Sequence, residues 1–455
     1  MSQIFYDRYS QVTTQYHNED IKFKKMCITK KQELQDLFGI AVKSAHPDHC
    51  LAKYLPEIPE NGHVIILGAG KASAAMVRAL EDHYDQAGQA DRLSGHAVTR
   101  HGYGLPTRFI PLTEAGHPVP DENSEYSARK ALEIAEKAGD GDLVLVLLSG
   151  GASALWSAPL NGLSLAMKQD VTKSLLRSGA AIDEINCVRK HLSRIKGGRL
   201  AAAAFPAKVM TFAISDVPHD EISSIGSGPT VGDPTSLGHA LDIVKKYKLE
   251  LSAEVISALQ NVSAESLFPD DERLKNNDFQ LIATPGMALK AAEEKLKEQG
   301  YEVLVLGDSI EGEARDVAGQ HAELAREKAQ EGKKTALLSG GELTVTIKGN
   351  GRGGPNQEYA LALAIGLGGL ENVWAFAGDT DGVDGGSGEK DDPAGAFIDP
   401  ETLQRAEQKG LNPAVFLDNN NSGEFFDILG DLLVCDATQT NVNDFRVILI
   451  DPQAD

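Results

Sequence analysis

Cysteine is scarce in this chain of 455 residues: Cys27, Cys50, Cys187 and Cys435 are the four present, and no two stand in a C-x-x-C arrangement. That usage supports neither a disulfide scaffold nor a cysteine-rich zinc site, and it predicts a reducing, cytoplasmic compartment. Positive charge is also in short supply. Lys and Arg total 44 against 66 Asp and Glu, a net charge of −22 with a pI near 5.0. Such a chain repels phosphate backbones and anionic lipid headgroups, so neither nucleic acid nor a membrane surface is an expected partner. Long apolar runs are missing as well. The uncharged stretch from Leu143 to Met167 is broken by Gly150-Gly151, Pro159 and Asn161-Gly162, and reads as a buried strand followed by loop. Residues 1–30 mix charge and aromatics without an apolar core, and read as a polar extension in place of a signal peptide.

What is abundant is glycine, 45 residues against a usual share of about 7%, and much of it punctuates an alternation of strands and helices. An amphipathic helix is predicted over Lys31–Ala45. After it, His63–Leu67 reads as a buried strand, Lys71–His83 as a helix, and Gly95–Thr99, Leu143–Leu148 and Val209–Ser215 as further strands with helices at Glu125–Ala138 and Leu165–Ala180. Buried strands alternating with helices predict a mostly parallel sheet covered on both faces. The polar, aperiodic stretch between Gln260 and Asp278 marks a domain boundary, giving an N-terminal domain over 31–270 and a C-terminal α/β domain over 271–455. In the second, strands are expected at 280–283, 302–306, 335–338, 343–347, 373–377 and 446–450, with helices at 287–299, 311–331 and 357–366 and some antiparallel pairing.

Several stretches can carry chemistry. Gly68-Ala69-Gly70-Lys71-Ala72-Ser73 follows a strand and opens a helix. Gly68 and Gly70 permit close approach of a ligand, with Ser73 in the last small-residue position, and a helix N-terminus favours negative charge. The dinucleotide fingerprint also needs an acid ending the next strand; here the chain reads VTRHGYG, which disfavours nicotinamide. Lys71 either adds a cation to an anion-binding turn or points into solvent from the first helical turn. A second feature is an echo: Leu147-Leu148-Ser149-Gly150-Gly151 and Leu337-Leu338-Ser339-Gly340-Gly341 both follow predicted strands, and each can turn backbone N–H groups toward an anion. Third, Arg189, Lys190, His191, Arg194, Lys196 and Arg199 form a basic island that holds an anionic substrate or is in part a solvated helix face. Fourth, Ser215-Asp216-Val217-Pro218 closes a strand and begins a long polar loop, where Asp216 could take a proton from a hydroxyl or hold a metal. Fifth come Arg352 in the glycine-lined loop before Asn356-Gln357-Glu358, suited to phosphate or carboxylate, and Asp379, Asp381 and Asp384 close together after a strand. Those acids fail the calcium-loop pattern but leave room for magnesium held through one or two carboxylates and substrate phosphates.

Taken in order, LGAGKAS, GHPVPDENS, LLSGGASAL, INCVRKHLSRIKGGRLA, ISDVPHDEISSIGSGPTVGDPTS, LLSGGELTVTIKGNGRGGPNQE, AGDTDGVDG and AGAFID resemble the two-domain glycerate 2-kinase family with its C-terminal MOFRL domain, from about Gln32 to Ile450. The resemblance implies a Rossmann-like N-terminal domain, a mixed α/β C-terminal domain, an active site in the cleft between them, and ATP- and magnesium-dependent phosphorylation of D-glycerate at its 2-hydroxyl. It also implies that the catalytic lysine and arginine are Lys71 and Arg352. Beside them, Ser149 to Ser153, Ser339 to Glu342, Arg189, Lys196 and Asn356 are assigned to phosphate or substrate contacts. Asp216 is assigned to proton or magnesium handling, with Asp379 and Asp381 as metal alternatives. Two departures stand out: Pro355 occupies a position where the family commonly has a second arginine, and Asp436-Ala437-Thr438-Gln439-Thr440-Asn441 replaces a Gly-Pro-Thr-Gly-Thr-Asn run. Competing readings are a hydroxypyruvate reductase, a label the family sometimes carries, and a sugar-acid or nucleotide sensor without turnover. The expected partners are small molecules, and a homodimer is compatible with them.

Overall fold

The computed structural model describes residues 29–60, 62–386 and 392–453. The polar extension, up to residue 28, lies outside them. The chain divides into two compact units. One comprises Val42–Ala288 and Ala437–Val442, and the other collects the described residues of Met1–Ala41, Leu289–Asp436 and Asn443–Asp455.

The first unit is built on six strands: β1 (Val64–Ala69), β2 (Leu93–Arg100), β3 (Leu112–Ala115), β4 (Leu143–Leu148), β5 (Lys208–Ile214) and β6 (Asn277–Ala283). Their order across the sheet is β3-β2-β1-β4-β5-β6, and every pair is parallel. This is the Rossmann-like arrangement. Every residue of β1 and β4 is buried, which is why both read as continuous apolar runs: helices cover the two faces. Each fully buried Leu or Val contributes about 2 kcal/mol by area removed from water. The helix Ser73–Gln86 links β1 to β2, and Glu122–Ala135 links β3 to β4. The strand order reverses between β1 and β4, so the connections leaving their carboxyl ends diverge and open a crevice there.

The strand expected to begin the second domain, at 280–283, is instead β6 and lies beside β5 in this sheet. The stretch read as a domain break is stitched to the first unit. The Leu267 N–H donates to the Gly197 carbonyl at 3.1 Å, the Asp233 N–H to the Leu267 carbonyl at 2.7 Å, and the Arg199 guanidinium to the carbonyls of Ala264 and Glu265 at 2.9 and 2.8 Å. All four bonds use main-chain groups of the stretch. The units part at Ala288, inside the helix Pro285–Glu298.

The second unit holds β7 (Glu302–Gly307), β8 (Gly312–Glu313), β9 (Thr335–Gly341), β10 (Leu343–Thr344), β11 (Val373–Asp379), β12 (Gly395–Ile398), β13 (Leu432–Leu433) and β14 (Asp444–Ile450). The large sheet runs β13-β12-β11-β14-β9-β7; β7 and β9 are parallel and the other pairs antiparallel, while β8 and β10 form a separate short pair. It is the mixed α/β arrangement expected, although the strand predicted at 343–347 shrinks to the two residues of β10. Helices Ala314–Gln330 and Pro355–Leu367 contribute to its core. The predicted first helix covers residues 29–45, and its Phe38 ring meets Phe376 and Phe445 of this unit at 5.1 and 6.3 Å. Among the described residues no helix is long and apolar enough to cross a membrane.

Candidate active site

In the first unit the loops leaving β1 and β4 are bolted together at the sheet's reversal. The Lys71 N–H donates to the Gly150 carbonyl at 2.8 Å and the Ala72 N–H to Ser149 Oγ at 2.9 Å. Gly70 has φ +136°, and a Cβ there would stand 2.6 Å from the Ser149 carbonyl oxygen with the hydroxyl closer still, so only glycine lets the loops meet. The Lys71 side chain is half-buried, just before the helix Ser73–Gln86. Gly68 and Ser73 have structural work: a Cβ on Gly68 would meet the Ala97 Cβ at 3.0 Å, and the buried Ser73 hydroxyl donates to the Val98 carbonyl at 2.6 Å, tying helix to sheet.

Asp216, two residues past β5, reaches this junction. Asn441 Nδ2 donates to Asp216 Oδ2 at 3.2 Å. A Cβ on Gly150 would lie 2.7 Å from Asn441 Nδ2 and 3.0 Å from Asp216 Cγ. Gly151, with φ +83°, faces the His117 ring, where a Cβ would come within 2.8 Å. Asn441 and His117 were not among the expected site residues. Asn441 carries a signal, being the asparagine retained in the altered 436–441 run; His117 lies in the GHPVPDENS segment, where nothing in the sequence marks it for a role.

A second constellation gathers on Ser153. Its Oγ accepts from Arg189 Nη2 at 2.9 Å and from Lys196 Nζ at 3.0 Å, and lies 2.8 Å from Ser227 Oγ. Lys196 Nζ also donates to the carbonyls of Ser153 and Gly226. Burial, then the neighbouring Arg189 charge, holds the Lys196 pKa well below its ordinary value, and burial lowers that of Arg189. No carboxylate pairs with either cation in the described residues. The remainder of the basic island is structural. Lys190 Nζ pairs with the buried Asp233 at 3.1 Å, and Arg199 donates to four backbone carbonyls.

In the second unit the echo does not repeat the turn. Ser339, Gly340 and Gly341 remain in β9, paired with Arg446, Phe445 and Asp444 of β14. Their polar groups meet the buried Arg446: its Nε donates to Ser339 Oγ at 3.2 Å, its Nη2 to the Gly340 carbonyl, and its Nη1 to Asp444 at 2.6 Å. These three residues stay in a strand ladder and form no turn, so the likeness of the two five-residue segments is not a likeness of structure. Glu342 is exposed just beyond. Asn356 Nδ2 donates to Asp444 Oδ1 at 2.6 Å and to Asp384 Oδ1 at 3.1 Å. Asp384 stands in for a missing cap: Gly354 offers no side chain, Pro355 occupies the first turn, and the Asp384 carboxylate accepts the N–H groups of Asn356 and Gln357 at 2.9 and 2.8 Å. Burial raises its pKa to about 7, against the pull of those N–H groups.

Arg352 is exposed and pairs with Asp427, while its backbone N–H donates to Asn421 Oδ1 at 3.0 Å and its carbonyl accepts the Gly423 N–H at 2.8 Å. It borders a pocket of about 260 Å³ with Gln357, Asp384 and Asp427. Asp379 and Asp381 each close a turn, accepting the N–H of Asp381 and of Val383 at 2.9 Å. Among the described residues no three His, Cys, Asp or Glu side chains are grouped as a metal cage. Magnesium held chiefly by phosphates needs only one or two carboxylates, and Asp216, at the glycine loops, fits that requirement.

Residues 33–260 match the family described as Domain of unknown function (DUF4147), and 335–444 match the MOFRL family. A "Putative hydroxypyruvate reductase" of Agrobacterium vitis is 43% identical over 431 residues, 93% of this chain and 95% of that protein. A "D-glycerate 2-kinase" of Thermotoga maritima is 38% identical over 415 residues, 90% and 96% of the two chains. The crystal structure of a glycerate kinase from Thermotoga maritima superposes with a TM-score of 0.84 at 36% identity, over 93% of this chain and 99% of that one. Sheet order, glycine loops and a C-terminal MOFRL segment together define a class of two-domain α/β phosphotransferases. Within that class the chain belongs to the glycerate 2-kinase family.

Proposed function

We propose that the chain transfers the γ-phosphoryl group of ATP to the 2-hydroxyl of D-glycerate, giving 2-phosphoglycerate and ADP. The observation that carries this is the junction at the sheet's reversal, where Lys71, Gly150 and Asp216 meet in a chain that is 38% identical to a D-glycerate 2-kinase over nearly its whole length. The substrate oxygen attacks the γ-phosphorus, the bond to the β-phosphate bridging oxygen breaks, and the hydroxyl proton passes to the Asp216 carboxylate, which Asn441 orients. Phosphoryl transfer needs positioned positive charge more than covalent help, and Lys71 and Arg352 supply it. Arg189 and Lys196, converging on Ser153, hold an anionic group of a substrate. Magnesium would neutralise the nucleotide phosphates, held chiefly through those phosphates. The scarcity of cysteine favours a cytoplasmic setting.

The test is a coupled assay with ATP and D-glycerate that separates 2-phospho from 3-phospho product. Formation of the 2-phospho acid is expected, and a protein that binds both substrates without turnover contradicts the reading. The name carried by the Agrobacterium relative motivates one competing activity, nicotinamide-dependent reduction of hydroxypyruvate. Against it, β2 ends on Thr99-Arg100 without the carboxylate that a ribose requires. Oxidation of reduced nicotinamide by hydroxypyruvate, followed by absorbance, decides between them.

A further inference from the structure

Lys168 lies in the first turn of the helix Leu165–Arg177, only 4% exposed, and its ammonium has no hydrogen-bond partner among the described residues. Its charged neighbours are mostly of its own sign. Arg189 and Arg199 repel it from the helices Ile182–His191 and Arg199–Ala204, and Lys196 is a further cation close by. Glu125, on the helix Glu122–Ala135, pulls the other way and least. Burial first, and then Arg189 and Arg199, bring the Lys168 pKa down to about 7.

The surrounding charges do not balance. Lys190 has Asp233, and Arg199 is saturated by backbone carbonyls. Arg189 and Lys196 have only Ser153, Asn186 and carbonyl oxygens, and Lys168 has nothing. A buried cation without a partner is costly and is not retained for packing, since an apolar side chain of the same length fills the space more cheaply. We propose that Lys168 joins Arg189 and Lys196 in an oxyanion-binding site, where an incoming carboxylate or phosphate supplies the missing negative charge. The proposal deepens the kinase reading and rests on it for the choice of probes. The oxyanion is either the carboxylate of the hydroxy-acid acceptor or a phosphate of the nucleotide.

The experiment compares the full chain with its Lys168→Met variant by isothermal titration of D-glycerate, of ATP and of inorganic phosphate at pH 8, each in two buffers of unlike ionisation enthalpy, alongside thermal unfolding. At that pH most Lys168 is neutral in the empty protein, so anion binding is expected to draw more proton from the buffer in the wild type than in the variant, where Lys196 alone of the two lysines remains. At least one probe should bind tenfold or more weakly to the variant, while its unfolding midpoint stays the same or rises. Weakening confined to D-glycerate assigns the acceptor carboxylate; weakening of ATP and phosphate assigns the nucleotide. Unchanged affinity for all three overturns the proposal. So does a variant that is less stable or fails to fold, because Lys168 is then structural. A wild type that phosphorylates glycerate beside an equally active and tightly binding variant removes this proposal alone. A wild type without kinase activity that still binds phosphate through Lys168 removes the kinase reading alone. Wild-type chain that binds none of the three removes both.

Discussion

Gly150→Ala is the smallest change that separates the proposed chemistry from the fold. The backbone at Gly150 is not in the left-handed region, so a methyl group brings no conformational strain of its own. What it brings is overlap: the Cβ would lie 2.7 Å from Asn441 Nδ2 and 3.0 Å from Asp216 Cγ, with Asp216 Oδ2 closer still. Ordinary carbon contacts need about 3.5 Å, so the carboxylate must retreat by roughly 1 Å and the Asn441–Asp216 hydrogen bond opens. Both groups are ends of short side chains, and Asp216 is half-buried although Asn441 is buried, so the stability cost should stay near the low end of the overpacking range, about 1 kcal/mol. Catalysis is less forgiving. A proton acceptor displaced by about 1 Å costs on the order of 100-fold in turnover. The assay is kcat and KM for ATP and D-glycerate, paired with a urea unfolding curve. A variant with wild-type kcat refutes the assignment of Asp216, whereas one that loses several kcal/mol of stability refutes the claim that this junction is soft.

Lys71→Ala should lower kcat by about 1,000-fold while leaving KM and unfolding nearly unchanged; equal losses in binding would argue against a transition-state role. Arg352→Ala should do the same, and because its exposed pair with Asp427 contributes at most about 1 kcal/mol, Asp427→Asn should leave both stability and the unfolding midpoint almost untouched. Asp384→Ala should cost about 2–4 kcal/mol in urea unfolding by stranding the N–H groups of Asn356 and Gln357; a loss below about 0.5 kcal/mol contradicts the capping role. Acid should destabilise the protein through two buried histidines. Burial lowers His96 and His321 from 6.5 to about 4, so between those pH values the unfolded chain binds protons that the folded one refuses, and stability falls as pH falls, by up to about 3 kcal/mol for each. His96→Gln should flatten its share of that slope in denaturant titrations, and an unchanged slope would show that the ring is not held neutral.

Where side chains alternate or run apolar over many residues, the fold was legible. β4 was found to the residue because both faces are covered and six buried positions in a row leave nothing polar to blur its ends. Short antiparallel strands were invisible: β12 and β13 are four and two residues long and take their order from neighbours distant in the chain. The stretch between Gln260 and Asp278 looked like a linker because it is polar and aperiodic, while its main-chain bonds to Gly197, Arg199 and Asp233 form only in the folded chain. The glycine loops of the site could be seen because close approach permits few residues but glycine. Lys168 could not, since an isolated lysine in a helix looks like any solvated one until its surroundings are known.

The excursion of residues 437–442 has a consequence for how the protein is made. Asp216 meets Asn441 only after 225 further residues have been synthesised, so the first unit emerges from the ribosome before that amide exists. A fragment cut at the unit boundary would keep all six strands of the parallel sheet and lack that amide.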